Sequence, residues 1–193
     1  LLYHGCVPLK EDGNLKSVRI FGHTYKGKGL YEVLESYVRK GFYAMDSKEK
    51  ERGKDIMWYI WLSENSPLFG KDKMATFERY FLAEKETHKE KKNPYYLLLE
   101  DEKVICHILK EFGLENEDAH IINGHVPVKC KDGEKPIKCG GKVLVIDGGF
   151  SRAYQKETGI AGYTLIYNSY GLILAAHCLL YTSPSPRDGA TSR

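Results

Sequence analysis

The chain has 193 residues, of which 42% are hydrophobic and 28% charged, as is ordinary for a soluble globular protein. A chain of this length fits one domain with a sizeable hydrophobic core. The net charge of +3 is too small to indicate binding to nucleic acid or to a membrane surface. No apolar run approaches the roughly 20 residues that span a bilayer.

The first residues, Leu1–Pro8, contain a short apolar strand-like run that is followed by His4 and Gly5. No methionine precedes this run, so we expect the chain to be an internal fragment of a longer protein. A polar turn around Asp12 and Gly13 follows, and then a short strand, Ser17–Phe21. Both strands precede the helical part of the chain.

Apolar residues recur at helical spacing between about residues 28 and 114. The first helix presents Leu30, Leu34 and Val38 on one face. The charged run at residues 46–55 is predicted to be a solvated helix end and turn. Residues 56–62, which include both tryptophans, are predicted to form a buried helix or strand. Further helices are predicted at residues 74–82 and 104–112, the second closed by a glycine C-cap.

From His120 onward the pattern is that of β-strands, at residues 121–123, 143–146, 161–168 and 172–176. Asp132 and Gly133 are typical of a hairpin turn, across which Cys130 and Cys139 could face each other. Strands at both ends and helices between them indicate one α/β domain with a helical insertion at about residues 28–114. Five scattered cysteines without C-x-x-C spacing indicate reduced thiols in the cytoplasm.

Two histidines stand at predicted strand ends, His4 before Gly5 and His125 after Gly124. Ligands bind beyond the strand ends of α/β sheets, and Pro127 stiffens the loop that carries His125. A plain turn with a surface histidine explains either motif alone. Two such motifs can meet at one edge of a sheet, so we predict that the two imidazoles converge and bind a metal ion.

These His-Gly and Gly-His-x-Pro motifs resemble the last two metal-ligand motifs of the metallophosphoesterase (calcineurin-like) superfamily. Residues 143–149 look like the Ile-Asp-x-Gly strand end of its protein-phosphatase branch. The resemblance implies part of a β-sandwich flanked by helices, and a two-metal centre in which His4 and His125 bind the same ion. Asp147 would orient a ligand histidine or cap a turn. Such a ligand set suits Mn²⁺ or Fe²⁺ and admits zinc.

Four longer stretches are similar to class III fructose-1,6-bisphosphatase, the Firmicutes type: residues 66–80, 86–96, 121–129 and 145–171. This resemblance covers nearly all of residues 1–177. It implies a manganese-dependent cytoplasmic enzyme that removes the 1-phosphate of fructose 1,6-bisphosphate in gluconeogenesis. The implied partner is that sugar bisphosphate, without nucleic acid or membrane, and a homo-oligomer is compatible with it.

Of the family's other ligand motifs, Gly-Asp-x-x-Asp and Gly-Asn-His do not occur in the sequence, and the one Asp-x-His, Asp118–His120, directly precedes the strand predicted at residues 121–123. We expect the family's other ligand motifs upstream of Leu1, and we expect the chain alone to be inactive. Lys71, Lys73 and Arg79, in a segment similar to the family, are candidate ligands of the substrate phosphates, because cationic side chains bind phosphate. Each is also explained as an ordinary surface residue.

Two other functions stay open. A protein serine/threonine metallophosphatase is supported by the Gly-His-x-Pro and Ile-Asp-Gly-Gly motifs alone. A non-catalytic binding module would use the basic segment at residues 85–92, but its interleaved glutamates argue against nucleic acid. The last residues, 178–193, turn abruptly to Ser, Pro and Arg and resemble a translated sequencing adaptor. We therefore interpret residues 1–177 as the C-terminal part of a metallophosphoesterase domain and 178–193 as non-native.

Overall fold

The computed structural model describes residues 1–148, 156–159 and 162–177, and within them the fold is mixed α/β. No helix in this part of the chain is long and apolar enough to cross a membrane. Residues 178–193, which the sequence analysis assigned to adaptor, lie outside the described residues. The strands are β1 Val18–Ile20, β2 His23–Tyr25, β3 Ile121–Asn123, β4 Ile137–Lys138, β5 Val143–Val145, β6 Gly162–Asn168 and β7 Gly171–His177. The α-helices are α1 Gly27–Tyr43, α2 Ser47–Leu62, α3 Thr76–Phe81 and α4 Glu102–Glu111.

The central sheet has the order β3-β5-β4, with β3 and β5 parallel and β4 antiparallel to β5. The start of the chain extends this sheet, because Leu2 forms a parallel bridge with Ile122 of β3. Tyr3 N donates to Ile122 O at 3.1 Å, and Ile122 N donates to Leu1 O at 2.8 Å. The two segments run in the same direction, so the residues that follow each of them leave the sheet at the same edge.

The main core lies between this sheet and α4. Apolar side chains of α4, β3 and β5 pack there with the N-terminal segment, among them Val7, Ile105, Ile108, Ile121 and Val143. The Asp101 side chain accepts from the backbone N–H groups of Lys103 and Val104 and so caps the start of α4, which stabilises such a helix by about 1 kcal/mol. The helix ends before Gly113, as the sequence predicted, with φ 77° at this glycine.

Helices α1 and α2 form an antiparallel hairpin with a smaller core of its own. They approach closely where Gly41 faces Gly53, since a Cβ added to Gly41 would lie 2.6 Å from Gly53 Cα. The charged run belongs to α2, whose first turn is capped by Asp46; the turn predicted there is wrong. The predicted burial of the tryptophans is also wrong, because Gly53 and Ile56 take the inward face of α2, leaving Trp58 67% and Trp61 63% exposed.

The hairpin predicted at Asp132 and Gly133 is absent from this described stretch. A 3₁₀ helix, Cys130–Asp132, ends at Gly133 with φ 82°, and β3 pairs in parallel with β5 instead of with β4. Parallel pairing places the fully buried β5 in the middle of the sheet. Cys130 Sγ lies 2.8 Å from Tyr163 Oη, and Cys130 and Cys139 are both free thiols. The strands predicted near residues 161–168 and 172–176 are confirmed as the hairpin of β6 and β7.

Candidate metal site

The structure brings together the two histidines that follow the parallel edge segments. His4 Nε2 lies 3.0 Å from His125 Nδ1, and the ring centroids are 4.9 Å apart. The pairing of the two backbones continues into the loops, since Gly124 N donates to His4 O at 3.1 Å. Residues separated by 121 positions in sequence therefore converge at one edge of the sheet, as the sequence predicted.

A backbone carbonyl fixes the tautomer of His125. Its Nε2 lies 2.8 Å from Phe69 O, and because a carbonyl only accepts, Nε2 carries the proton. The Nδ1 lone pair then points at His4. Burial lowers the pKa of His125 overall, although its hydrogen bond to Phe69 O and the charge of Asp147 oppose this; the charge of Lys71 acts in the same direction as burial. The lowered pKa favours the neutral imidazole, which is the form that binds metal ions.

The loop that supplies this carbonyl is built around Ser66, which is fully buried. Its hydroxyl donates to Ile60 O at 2.6 Å and accepts from Leu68 N at 3.1 Å. The loop also packs on the first histidine motif, because a Cβ on Gly5 would collide with Pro67 O. This role of Ser66 was not predicted from the sequence, where the signal was a Ser-Pro pair four residues beyond Leu62, the last residue of α2.

The histidine pair borders a cleft of about 420 Å³ that also contains Asp147 and Asn123. A Cβ built on Gly124 would lie 3.7 Å from Asp147 Oδ2, so Asp147 stands beside the loop that carries His125. Asn123 is 1% exposed, and its Oδ1 has no hydrogen-bond partner among the described residues. Sequence reasoning missed Asn123, although the signal was present: it is the last residue of the strand that leads to Gly124 and His125.

The two histidine nitrogens could supply two of the ligands that a divalent ion needs. Two imidazole nitrogens bound at right angles to a metal ion, each at about 2.1 Å, would stand about 3 Å apart, which is the distance between His4 Nε2 and His125 Nδ1. The same distance suits an N–H···N hydrogen bond in the metal-free protein. In the described parts of the chain, no group of three or more His, Cys, Asp or Glu is arranged to hold a metal.

The three cations predicted to bind substrate phosphate contact one segment, residues 87–90. Lys71 Nζ donates to Glu90 Oε2 at 2.9 Å, and Lys73 Nζ donates to Thr87 O at 2.8 Å. Arg79 Nη2 lies 3.5 Å from Glu90 Oε1. Burial alone would raise the pKa of Glu90, but hydrogen bonds from Lys71 and from the Ala75 N–H lower it overall. Lys71 is the one of the three cations whose charge affects the pKa of His125.

The structure defines a mixed α/β protein with a pair of histidines at one edge of its central sheet, and comparisons with known proteins identify its family. The family model described as Firmicute fructose-1,6-bisphosphatase matches residues 1–185. The chain therefore belongs to the Firmicute fructose-1,6-bisphosphatase family. This match continues eight residues beyond residue 177, into the segment expected to be adaptor, whose origin stays a prediction.

Relatives named fructose-1,6-bisphosphatase class 3 agree with this assignment. The protein of Clostridium acetobutylicum is 59% identical over 184 residues, which is 95% of this chain and 28% of the relative. That of Clostridioides difficile is 62% identical over 178 residues, 92% of this chain and 27% of the relative. The chain thus spans little more than a quarter of these relatives. No solved structure matches it.

Proposed function

We propose that this chain is a segment of a fructose-bisphosphatase and contributes two metal ligands, His4 and His125, to its active site. The observation that carries the proposal is the 3.0 Å approach of their nitrogens at the sheet edge, in a chain that belongs to this family. The reaction would be hydrolysis of the 1-phosphate of fructose 1,6-bisphosphate. The remaining ligands would come from the part of the enzyme outside residues 1–193.

The residues of this chain would prepare the site before substrate arrives. The Phe69 carbonyl holds the Nε2 proton of His125, so that the Nδ1 lone pair faces the ion position. Partial burial lowers the pKa of that imidazole and so favours its neutral form, and the strand pairing that continues into Gly124 holds both loops together. A bound divalent ion would polarise the phosphoryl oxygens and lower the pKa of a bound water. Asp147 would orient the loop from its position beside Gly124.

Several finer features belong to the same proposal. The metal would be manganese, the sheet would form part of a metallophosphoesterase sandwich, and residues 28–114 would be a helical insertion in it. Lys71, Lys73 and Arg79 would bind the phosphate that does not react; Lys71, near His125, is the best placed of the three. The enzyme would act in the cytoplasm, where it would serve gluconeogenesis.

The test uses a full-length chimera. In the class 3 enzyme of Clostridium acetobutylicum, the aligned segment is replaced by residues 1–177 of this chain, and phosphate release from fructose 1,6-bisphosphate is measured with Mn²⁺. We expect activity close to that of the parent enzyme and its loss on chelation, restored by added Mn²⁺. A folded chimera without activity, or one indifferent to chelation, would refute the proposal.

A further inference from the structure

The surface of the α1–α2 hairpin carries a continuous apolar face, which we define by Phe42, Met57, Trp58 and Trp61. Phe42 is 78% exposed, and both tryptophans of the chain are more than half exposed. Together with Val38, Gly41 and Gly53 these residues line a groove of about 670 Å³, whose lining also includes Lys50 and Lys54. A patch of this kind on a soluble protein marks a surface that another polypeptide covers.

The apolar face continues to the histidine pair. A second groove, of about 280 Å³, lies alongside the first and is lined by Val38 and Met57 as well as by His4, Tyr31 and Pro67. Val38 and Met57 thus belong to both grooves. A polypeptide that approaches the exposed His4 from solvent would therefore contact the apolar face at the same time.

We propose that the apolar face is the docking surface for the part of the class 3 enzyme that lies outside this chain. Two observations select this occupant. The relatives have more than 70% of their length outside the matched segment, since the chain covers 28% and 27% of them. The histidine pair needs further donors to hold its ions, and those donors must come to the side of the domain where the face begins. The need for further metal donors rests on the proposed function, whereas the length of the relatives does not depend on it.

The alternative occupant, a second copy of this chain, would bury tryptophans against tryptophans and bring two further histidines. Each copy would bring only another incomplete site, because no group of three or more His, Cys, Asp or Glu among the described residues is arranged to hold a metal ion. The occupant has to cover the apolar groove and also to bring further ligands to His4 and His125. The rest of the enzyme does both. Aromatic side chains at the centre of such an interface contribute most of its stability.

The test compares the chain of residues 1–193 with the full-length chimera by hydroxyl-radical footprinting and mass spectrometry. We expect oxidation of Met57, Trp58 and Trp61 to fall several-fold in the chimera relative to the isolated chain, which should sediment as a monomer. Equal oxidation in the two proteins would overturn the proposal. Protection in the isolated chain, together with a dimer in sedimentation, would assign the face to a second copy and overturn it as well.

A pair of substitutions on α2 tests the face itself. Trp61→Glu should lower the melting temperature of the chimera but not that of the isolated chain, because the charge would be buried only where the face is covered. Arg52→Glu, on the same helix but outside the groove, should leave both unchanged. An equal loss for Trp61→Glu in both proteins would show that Trp61 stabilises only the hairpin.

These readouts separate the two proposals. A protected face in a chimera that does not hydrolyse fructose 1,6-bisphosphate would uphold the docking surface and refute the proposed function. An active chimera whose apolar face is exposed would uphold the proposed function and refute the docking surface.

Discussion

At the scale of single residues, His125 combines three constraints. Its backbone has φ 65°, a value that residues other than glycine seldom adopt. Its ring is fixed by the Phe69 carbonyl on one side and faces His4 on the other. Backbone strain of this kind is retained where the surrounding structure holds it and is typical of functional sites. We therefore expect the side chain of His125 to matter for metal binding far more than for folding.

This expectation is tested by His125→Asn in the chimera, since asparagine tolerates positive φ better than alanine does. We expect manganese affinity and phosphatase activity to fall by orders of magnitude, with an unchanged circular dichroism spectrum. The matched control is His107→Asn, on the exposed side of α4, which should alter neither. Full activity of the His125 variant would remove the basis of the metal-site assignment.

Arg79 allows substrate binding to be distinguished from structural pairing. If it binds the phosphate that does not react, Arg79→Ala should raise KM for fructose 1,6-bisphosphate more than KM for an aryl phosphate. Steady-state kinetics of the chimera measure both. Lys89→Ala, which removes an exposed cation that pairs with Glu86, serves as the control. Equal changes in KM for the two substrates would show that Arg79 acts only structurally, through its contact with Glu90.

At the scale of elements, the segment at residues 71–92 is organised by Glu90. Its carboxylate accepts from Lys71 Nζ at 2.9 Å and from Ala75 N at 3.0 Å, while its side chain is 17% exposed. These contacts join the residues before α3 to the strand-like residues beyond the 3₁₀ helix Lys85–His88. The cations predicted to be substrate ligands thus also hold this element in shape.

Glu90 makes the stability of this element depend on pH. Because its pKa is lowered in the folded chain, its contribution is present above the ordinary glutamate pKa of 4.5 and is lost as the pH falls through the folded value. Glu90→Gln should reduce the free energy of unfolding near pH 7 by about 1 kcal/mol. The difference from the parent chain should shrink as the pH falls below 4.5 and through the lowered pKa of folded Glu90. Urea unfolding at both pH values measures this.

The control for that experiment is Glu86→Gln. Glu86 is 82% exposed and pairs with Lys89 on the surface, so its removal should change stability little at either pH. A pH-independent loss in Glu90→Gln would mean that the hydrogen bonds of Glu90 do not depend on its charge.

The crossing of α1 and α2 depends on two glycines. Gly41→Ala would place a methyl group 2.6 Å from Gly53 Cα, a backbone atom that cannot turn aside. We expect a loss of about 1–3 kcal/mol in unfolding free energy, as for other overpacked contacts. Gly29→Ala, in the same helix with no atom within 4 Å of the added Cβ, should be neutral or stabilising by up to about 1 kcal/mol. Thermal or urea unfolding of both variants decides whether the hairpin packs as described.

At the scale of the whole molecule, the chain has a core around α4 and the central sheet, whereas its histidine pair and its apolar face both remain open to solvent. Two imidazoles hold a divalent ion weakly, because the ion prefers several further donors. The chain alone and the chain within the full-length enzyme should therefore behave differently.

We expect residues 1–193 alone to release no phosphate from fructose 1,6-bisphosphate with Mn²⁺ beyond the rate of its His125→Asn variant. The chimera, measured in the same assay, is the positive control. Turnover by the isolated chain well above that of the variant would show that the ligands of a working site lie within residues 1–193.

The helical middle, the β6–β7 hairpin and the choice of His4 and His125 as candidate ligands could be predicted from the sequence, because apolar periodicity and strand-end glycines are local signals. Contacts between distant parts of the chain account for the rest. Parallel pairing of the N-terminal segment, β3 and β5 brings the histidines together, and the Ser66 loop supplies the carbonyl that orients His125. Trp58 and Trp61 point outward because the close contact of Gly41 with Gly53 sets which side of α2 faces inward. These outcomes depend on contacts between residues far apart in sequence, and no local pattern encodes them.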